Sequence, residues 1–162
     1  MPNLPERGII AASNSVQCPC IARVEADMGG ITALVTSAGI IQDRPFAPEA
    51  FDQDVWDRVM MINLRGTWLC CRAVGNRMAK RRRGSIVTIG SIAAYHSWPT
   101  HSYAASKSAV VALTQGLASE WGPSGVRVNA VSPGFTATRR LKEIIALGRD
   151  ISASSTQRHC SG

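Results

Sequence analysis

Tyr103 and Lys107 stand four residues apart in the run His101-Ser-Tyr-Ala-Ala-Ser-Lys107, and Ser91 lies twelve residues before the tyrosine. On a helix, positions i and i+4 share one face. An ammonium held beside a phenol favours the phenolate, which suits a tyrosine to proton transfer. The chain has two tyrosines, and its only lysines are Lys80, Lys107 and Lys142. A pair at this spacing is therefore seldom an accident.

The elements that would position these groups follow from periodicity. Ile21 to Met28 reads as the end of an amphipathic helix, stopped by Gly29-Gly30. Ile31–Val35 is a short apolar run suited to a buried parallel strand, and the turn Ser37-Ala38-Gly39 follows it. Residues 52–79 carry Val55, Val59, Ile62, Leu69 and Ala73 at helical spacing. Ser85–Ile89 and Val126–Val131 read as two further strands, with a helix over 103–121 between them, closed by Gly122-Pro123. A short helix is expected at Leu141–Leu147, and the polar residues after Asp150 are expected to fray.

Strands alternating with helices predict an α/β fold with a parallel sheet. Ligands of such sheets bind beyond the carboxyl ends of the strands. Ala38-Gly39, Ser91 and Pro133-Gly134 each fall just after a strand run. The three loops should therefore meet at one edge of the sheet, beside the start of the Tyr103 helix.

Composition narrows the alternatives. The 162 residues suggest one domain, 45% apolar, with a net charge of +7. The basic residues cluster at Lys80–Arg83 and Arg139-Arg140 without interleaved aromatics, so a solvated helix end is favoured over a nucleic-acid surface. No apolar run reaches the roughly 18 residues that span a bilayer. Met1–Gly8 lacks a basic stretch leading into an apolar one, so a cytoplasmic location is expected. The five cysteines are irregularly placed; Cys18-Pro-Cys20 is too close for the usual zinc pair. No metal and reduced thiols are expected.

The segments Ala22–Ile40, Met61–Ala73 and Gly84–Thr138, taken in order, resemble the short-chain dehydrogenase/reductase family. The resemblance implies a partial, Rossmann-like doubly wound parallel sheet over 21–148, with 1–20 unassigned and 149–162 a disordered tail. It implies an NAD- or NADP-dependent oxidoreductase acting on a secondary alcohol or ketone. Tyr103 would be the general acid/base and Ser91 would orient the reacting oxygen. Lys107 would tune the tyrosine and bind the nicotinamide ribose. Asn63 would help hold a relay water. Ala38, Gly39, Pro133, Gly134, Thr136 and Thr138 would line the cofactor, Thr138 at the carboxamide. The helices 52–79 and 103–121 would make homo-oligomer contacts, and the small face Ala105, Ser108, Ala109, Ala112 and Gly116 permits close packing against either the sheet or a partner. His96 and His101 would lie at the pocket rim or on plain surface.

Two departures stand out. The family usually has Asn-Asn-Ala-Gly where this chain has Thr36-Ser37-Ala38-Gly39. No two glycines stand at i and i+2, so the family's Gly-rich phosphate turn is missing. Two readings stay open on that basis. One is an enzyme of this family. The other is a truncated, non-catalytic member that associates with a full-length relative.

Overall fold

The computed structural model describes residues 19–41, 52–96 and 100–137. Helix α1 is Pro19–Met28, strand β1 Ala33–Thr36 and helix α2 Gln53–Met60. A π-helical turn, Met61–Arg65, joins α2 to α3, Gly66–Lys80. Strand β2 is Gly84–Ile89, followed by a single 3-10 turn at Ile92–Ala94, helix α4 at His101–Trp121 and strand β3 at Val126–Val131. The expected short helix at 141–147, the polar tail and Thr138 lie outside the described residues.

The three strands form one parallel sheet in the order β1-β2-β3. In register, Val35 sits beside Val87 and Val87 beside Asn129. Parallel neighbours need long crossovers, and both run through helices. The two crossovers step across the sheet in the same direction, and right-handed connections then place their helices on one face. That face carries Ile86, Val126 and Val128, packed with Cys71, Val74 and Met78 of α3 and Leu117 and Trp121 of α4. Ile21 of α1 joins the same cluster. The opposite face presents Val35 (60% exposed) and Val131 (50% exposed) with Arg127 and Asn129. Among the described residues β1 is an edge strand, with Val35 exposed where the apolar run suggested a buried strand.

The helix expected over 52–79 is two α-helices with a π turn between them. Asp52 caps α2 by accepting the Asp54 N–H at 2.9 Å. The π turn adds a residue to the turn and so re-aims Asn63, an effect that apolar spacing cannot reveal.

Part of the basic cluster is structural rather than merely solvated. Arg81 pairs with Glu25 of α1 at 2.9 Å and donates to the Ile31 carbonyl at 2.9 Å. Arg82 donates to the Pro123 carbonyl at 3.2 Å. Gly125 opposite takes φ 73°, and a Cβ there would press within 2.6 Å of the Arg82 carbonyl oxygen.

Cys70 and Cys71 stand as thiols on α3. Burial pushes the Cys71 thiol up to about 12, with Cys70 adding to the shift, which makes Cys71 an inert packing group. Cys20 is disulfide-bonded, against the expectation of reduced thiols throughout. No group of metal-ligating side chains occurs among the described residues, and no described helix is long and apolar enough to cross a membrane.

Candidate active site

The carboxyl ends of the three strands lead into loops that are stitched together by backbone hydrogen bonds. Gly90 N–H donates to the Val131 carbonyl at 2.8 Å, and Ile92 N–H to the Pro133 carbonyl at 3.1 Å. These bonds hold the Ser91 loop beside the Pro133-Gly134 loop. Gly90 has to be small, because a Cβ there would lie 2.6 Å from Ser132 Oγ.

Ser91 is buried and caps the 3-10 turn, its Oγ accepting the Ala93 N–H at 3.1 Å. Its own hydroxyl proton has no acceptor among the described residues, so it remains available as a donor toward the loop edge.

Tyr103 and Lys107 lie on one face of α4, as their spacing requires. The Lys107 Nζ sits 5.7 Å from the centroid of the Tyr103 ring. Lys107 is 6% exposed, and its ammonium donates to the Ile89 carbonyl, at the end of β2, at 2.8 Å. Burial holds the Lys107 ammonium below the usual lysine range, because desolvation disfavours the charged form.

Gly39 closes the group on the β1 side. A Cβ at Gly39 would lie 3.3 Å from Asn63 Oδ1 and 3.6 Å from Lys107 Nζ. The glycine leaves open the space beside the ammonium. Asn63, 1% exposed in the π turn, accepts the Ile40 N–H at 2.8 Å through Oδ1. Its Nδ2 donates to the Ile40 carbonyl at 2.9 Å and to Ser106 Oγ at 3.0 Å. Both amide hydrogens are thereby used inside the protein. The Asn63 carbonyl accepts from Thr67 Oγ1 at 2.7 Å.

The structure thus brings Gly39, Asn63, Lys107 and Tyr103 together, with Ser91 on the adjoining loop. Ala38 sits exposed in the β1 loop. Pro133 anchors the β3 loop through its carbonyl, Gly134 lies near Ile92, and Thr136 is exposed with its hydroxyl donating to the Gly134 carbonyl at 3.3 Å. Tyr95 and His96 are exposed beyond the 3-10 turn, and His101 opens α4. Ser106, fully buried and placed between Tyr103 and Lys107 in the chain, carries little mark in the sequence. Its only signal is a hydroxyl at the third position after a helix-borne tyrosine.

The family model for short chain dehydrogenases matches residues 12–146. This chain belongs to the short chain dehydrogenase family. D-threitol dehydrogenase of Mycolicibacterium smegmatis is 42% identical over 86% of this chain and 58% of its own length. A gluconate 5-dehydrogenase from Burkholderia cenocepacia, solved with NADP and tartrate, superimposes with a TM-score of 0.72. It is 35% identical over 83% of this chain and 51% of that one. A structure from Brucella melitensis described as ribose-5-phosphate isomerase reaches a TM-score of 0.75 at 48% identity, over 80% of this chain and 50% of that one. The chain spans about half the length of the curated relatives it matches. Among short chain dehydrogenases the parallel sheet with its helices is the shared frame, and the described residues form three strands of it.

Proposed function

We propose that this short chain dehydrogenase is the catalytic part of an NAD(P)-dependent oxidoreductase acting on a secondary alcohol or ketone. The observation that carries the reading is the buried Lys107 ammonium, fixed at the end of β2 and facing the Tyr103 ring. A relative described as an isomerase shares the frame, so the fold alone leaves the reaction open. A Tyr–Lys pair beside a serine donor is arranged for moving a proton at a carbonyl or hydroxyl oxygen.

In that reading Tyr103 gives a proton to the carbonyl oxygen during reduction and takes one from the alcohol during oxidation. Ser91 donates its uncommitted hydroxyl proton to the same oxygen and orients it. Lys107 biases the pair electrostatically and holds ribose hydroxyls. Asn63 braces the site; a relay water at Asn63 would be held by oxygen lone pairs alone, since both amide hydrogens are taken. Nicotinamide, when bound, supplies the hydride chemistry.

The residues present fit the nicotinamide-ribose end of NAD or NADP. Gly39 leaves room beside Lys107, and Ala38, Pro133, Gly134 and Thr136 line the converging loops. Thr138 would follow at the carboxamide. The pyrophosphate has no Gly-x-Gly turn to sit on anywhere in the sequence. Residues 21–148 would be the catalytic unit, working in the cytoplasm on a small-molecule substrate. A homo-oligomer through 52–79 and 103–121 is supported by Gly116, where a Cβ would meet nothing within 4 Å.

The second reading, a non-catalytic member that pairs with a longer relative, is favoured by the exposed Val35 on the edge strand β1. Titrating the chain with NADH and NADPH separates the two, followed by tryptophan fluorescence and melting temperature. Saturable binding supports the enzyme. A chain that melts cooperatively and binds neither nucleotide supports the second reading.

A further inference from the structure

We propose that Ser106 is a positioning residue for Tyr103, its hydroxyl fixing the first turn of α4 against the loop after β1. The inference rests on the reading of Tyr103 as the proton-transfer group.

The hydrogen-bond directions in this network are forced. Asn63 Oδ1 faces the Ile40 N–H, so the amide can stand only one way round. Its two hydrogens then go to the Ile40 carbonyl and to Ser106 Oγ. Because Ser106 accepts from Asn63, its single proton is left to donate, and it goes to the Tyr103 carbonyl at 2.8 Å. Through Asn63, the hydroxyl thus links two backbone positions, Ile40 next to Gly39 and Tyr103 itself. Ser106 is 0% exposed, so water cannot substitute for either bond.

At the N-cap of α4, Thr100 makes no side-chain capping bond, and the Ser106 bond is one tie on the helix's first turn. A serine bonding back to the i−3 carbonyl is common inside helices and alone would mean little. Here the same oxygen also takes a proton from another element, which turns a local bond into a tertiary link. The π turn that aims Asn63 inward serves that link.

The test reads Tyr103 directly. Tyrosine labelled with carbon-13 at the ring Cζ is incorporated in a Tyr95→Phe background, leaving Tyr103 as the only labelled ring of the two in the chain. Ser106→Ala is expected to shift the Tyr103 signal by more than its linewidth, or to split it. Thr114→Val, which removes another buried hydroxyl of α4, should lower the melting temperature and leave the signal in place. If Ser106→Ala does not fold, Ser106→Cys keeps the shape with weaker bonds, and an intermediate shift is expected. An unmoved Tyr103 signal in the folded Ser106 variant overturns the proposal. Nucleotide titration of the unmutated chain is a separate readout: failure there removes the oxidoreductase reading, and the Tyr103 signal still decides the role of Ser106.

Discussion

Lys107 donates its ammonium to the Ile89 carbonyl at 2.8 Å, across eighteen residues of sequence. The lysine is therefore held by the end of β2, and it meets Tyr103 across the ring face. Strand end, helix face and ammonium form one unit. A shift of β2 against α4 would move the charge relative to the tyrosine.

Lys107→Met tests the cost of that arrangement. Burial lowers the folded-state value of Lys107 below its ordinary 10.5. Between the two values the unfolded chain binds more protons than the folded one, so stability gained from Lys107 rises with pH across that window. Urea unfolding of both proteins from neutral pH upward should show the parent gaining on Lys107→Met as pH approaches 10.5. A constant difference would mean that Lys107 titrates as it does in the unfolded chain.

Tyr103→Phe removes the phenol oxygen and leaves the carbonyl that Ser106 holds. In a preparation with turnover, kcat should fall by roughly 10²–10⁴ with nucleotide affinity and melting temperature close to the parent. Retained kcat would move the proton-transfer role to another group.

The juxtaposition of Tyr103 with Lys107 was legible in the sequence. The Tyr103–Lys107 spacing needs only helical geometry, and the three strands are short apolar runs between turn signals. Val126–Val131 matches its expected bounds, and β1 differs from Ile31–Val35 only at its ends. The π turn was hidden because Asn63 is stabilised there by Ile40 and Ser106, both distant in sequence. Ser106 was hidden for the same reason: its second partner comes from another element. The tie from Arg81 to Glu25 is likewise a long-range choice between side chains that could equally face water.

Gly75→Ala probes the contact between α3 and α4. A Cβ at Gly75 would overlap the ring of Trp121, which is buried at the end of α4. Alanine gains about 1 kcal/mol in helix propensity. Overpacking against a rigid buried indole costs about 1–3 kcal/mol and wins. The urea midpoint should fall with the slope m unchanged. The matched change Gly116→Ala, where a Cβ meets open space, should raise the midpoint by roughly 0.5–1 kcal/mol equivalent.

Glu25 links three elements, and its protonation should release them together. One carboxylate oxygen accepts from Arg81 at 2.9 Å and from the Ile31 N–H at 3.4 Å; the other accepts from Arg77 at 3.1 Å. Burial alone would raise the Glu25 carboxyl, but the Arg81 and Ile31 hydrogen bonds and the two guanidinium charges outweigh it and hold it below the ordinary 4.5. A depressed carboxyl contributes stability that is fully present above the unfolded value and is lost as pH falls through the folded one. Glu25→Gln should therefore cost about 1 kcal/mol at neutral pH, a charge-assisted network discounted for its partly exposed arginines. The gap between parent and variant should close as pH drops below 4.5. Denaturant midpoints measured at neutral and acidic pH decide it. A gap that persists unchanged in acid would mean that α1 is held by the packing of Ile21 and not by this carboxylate.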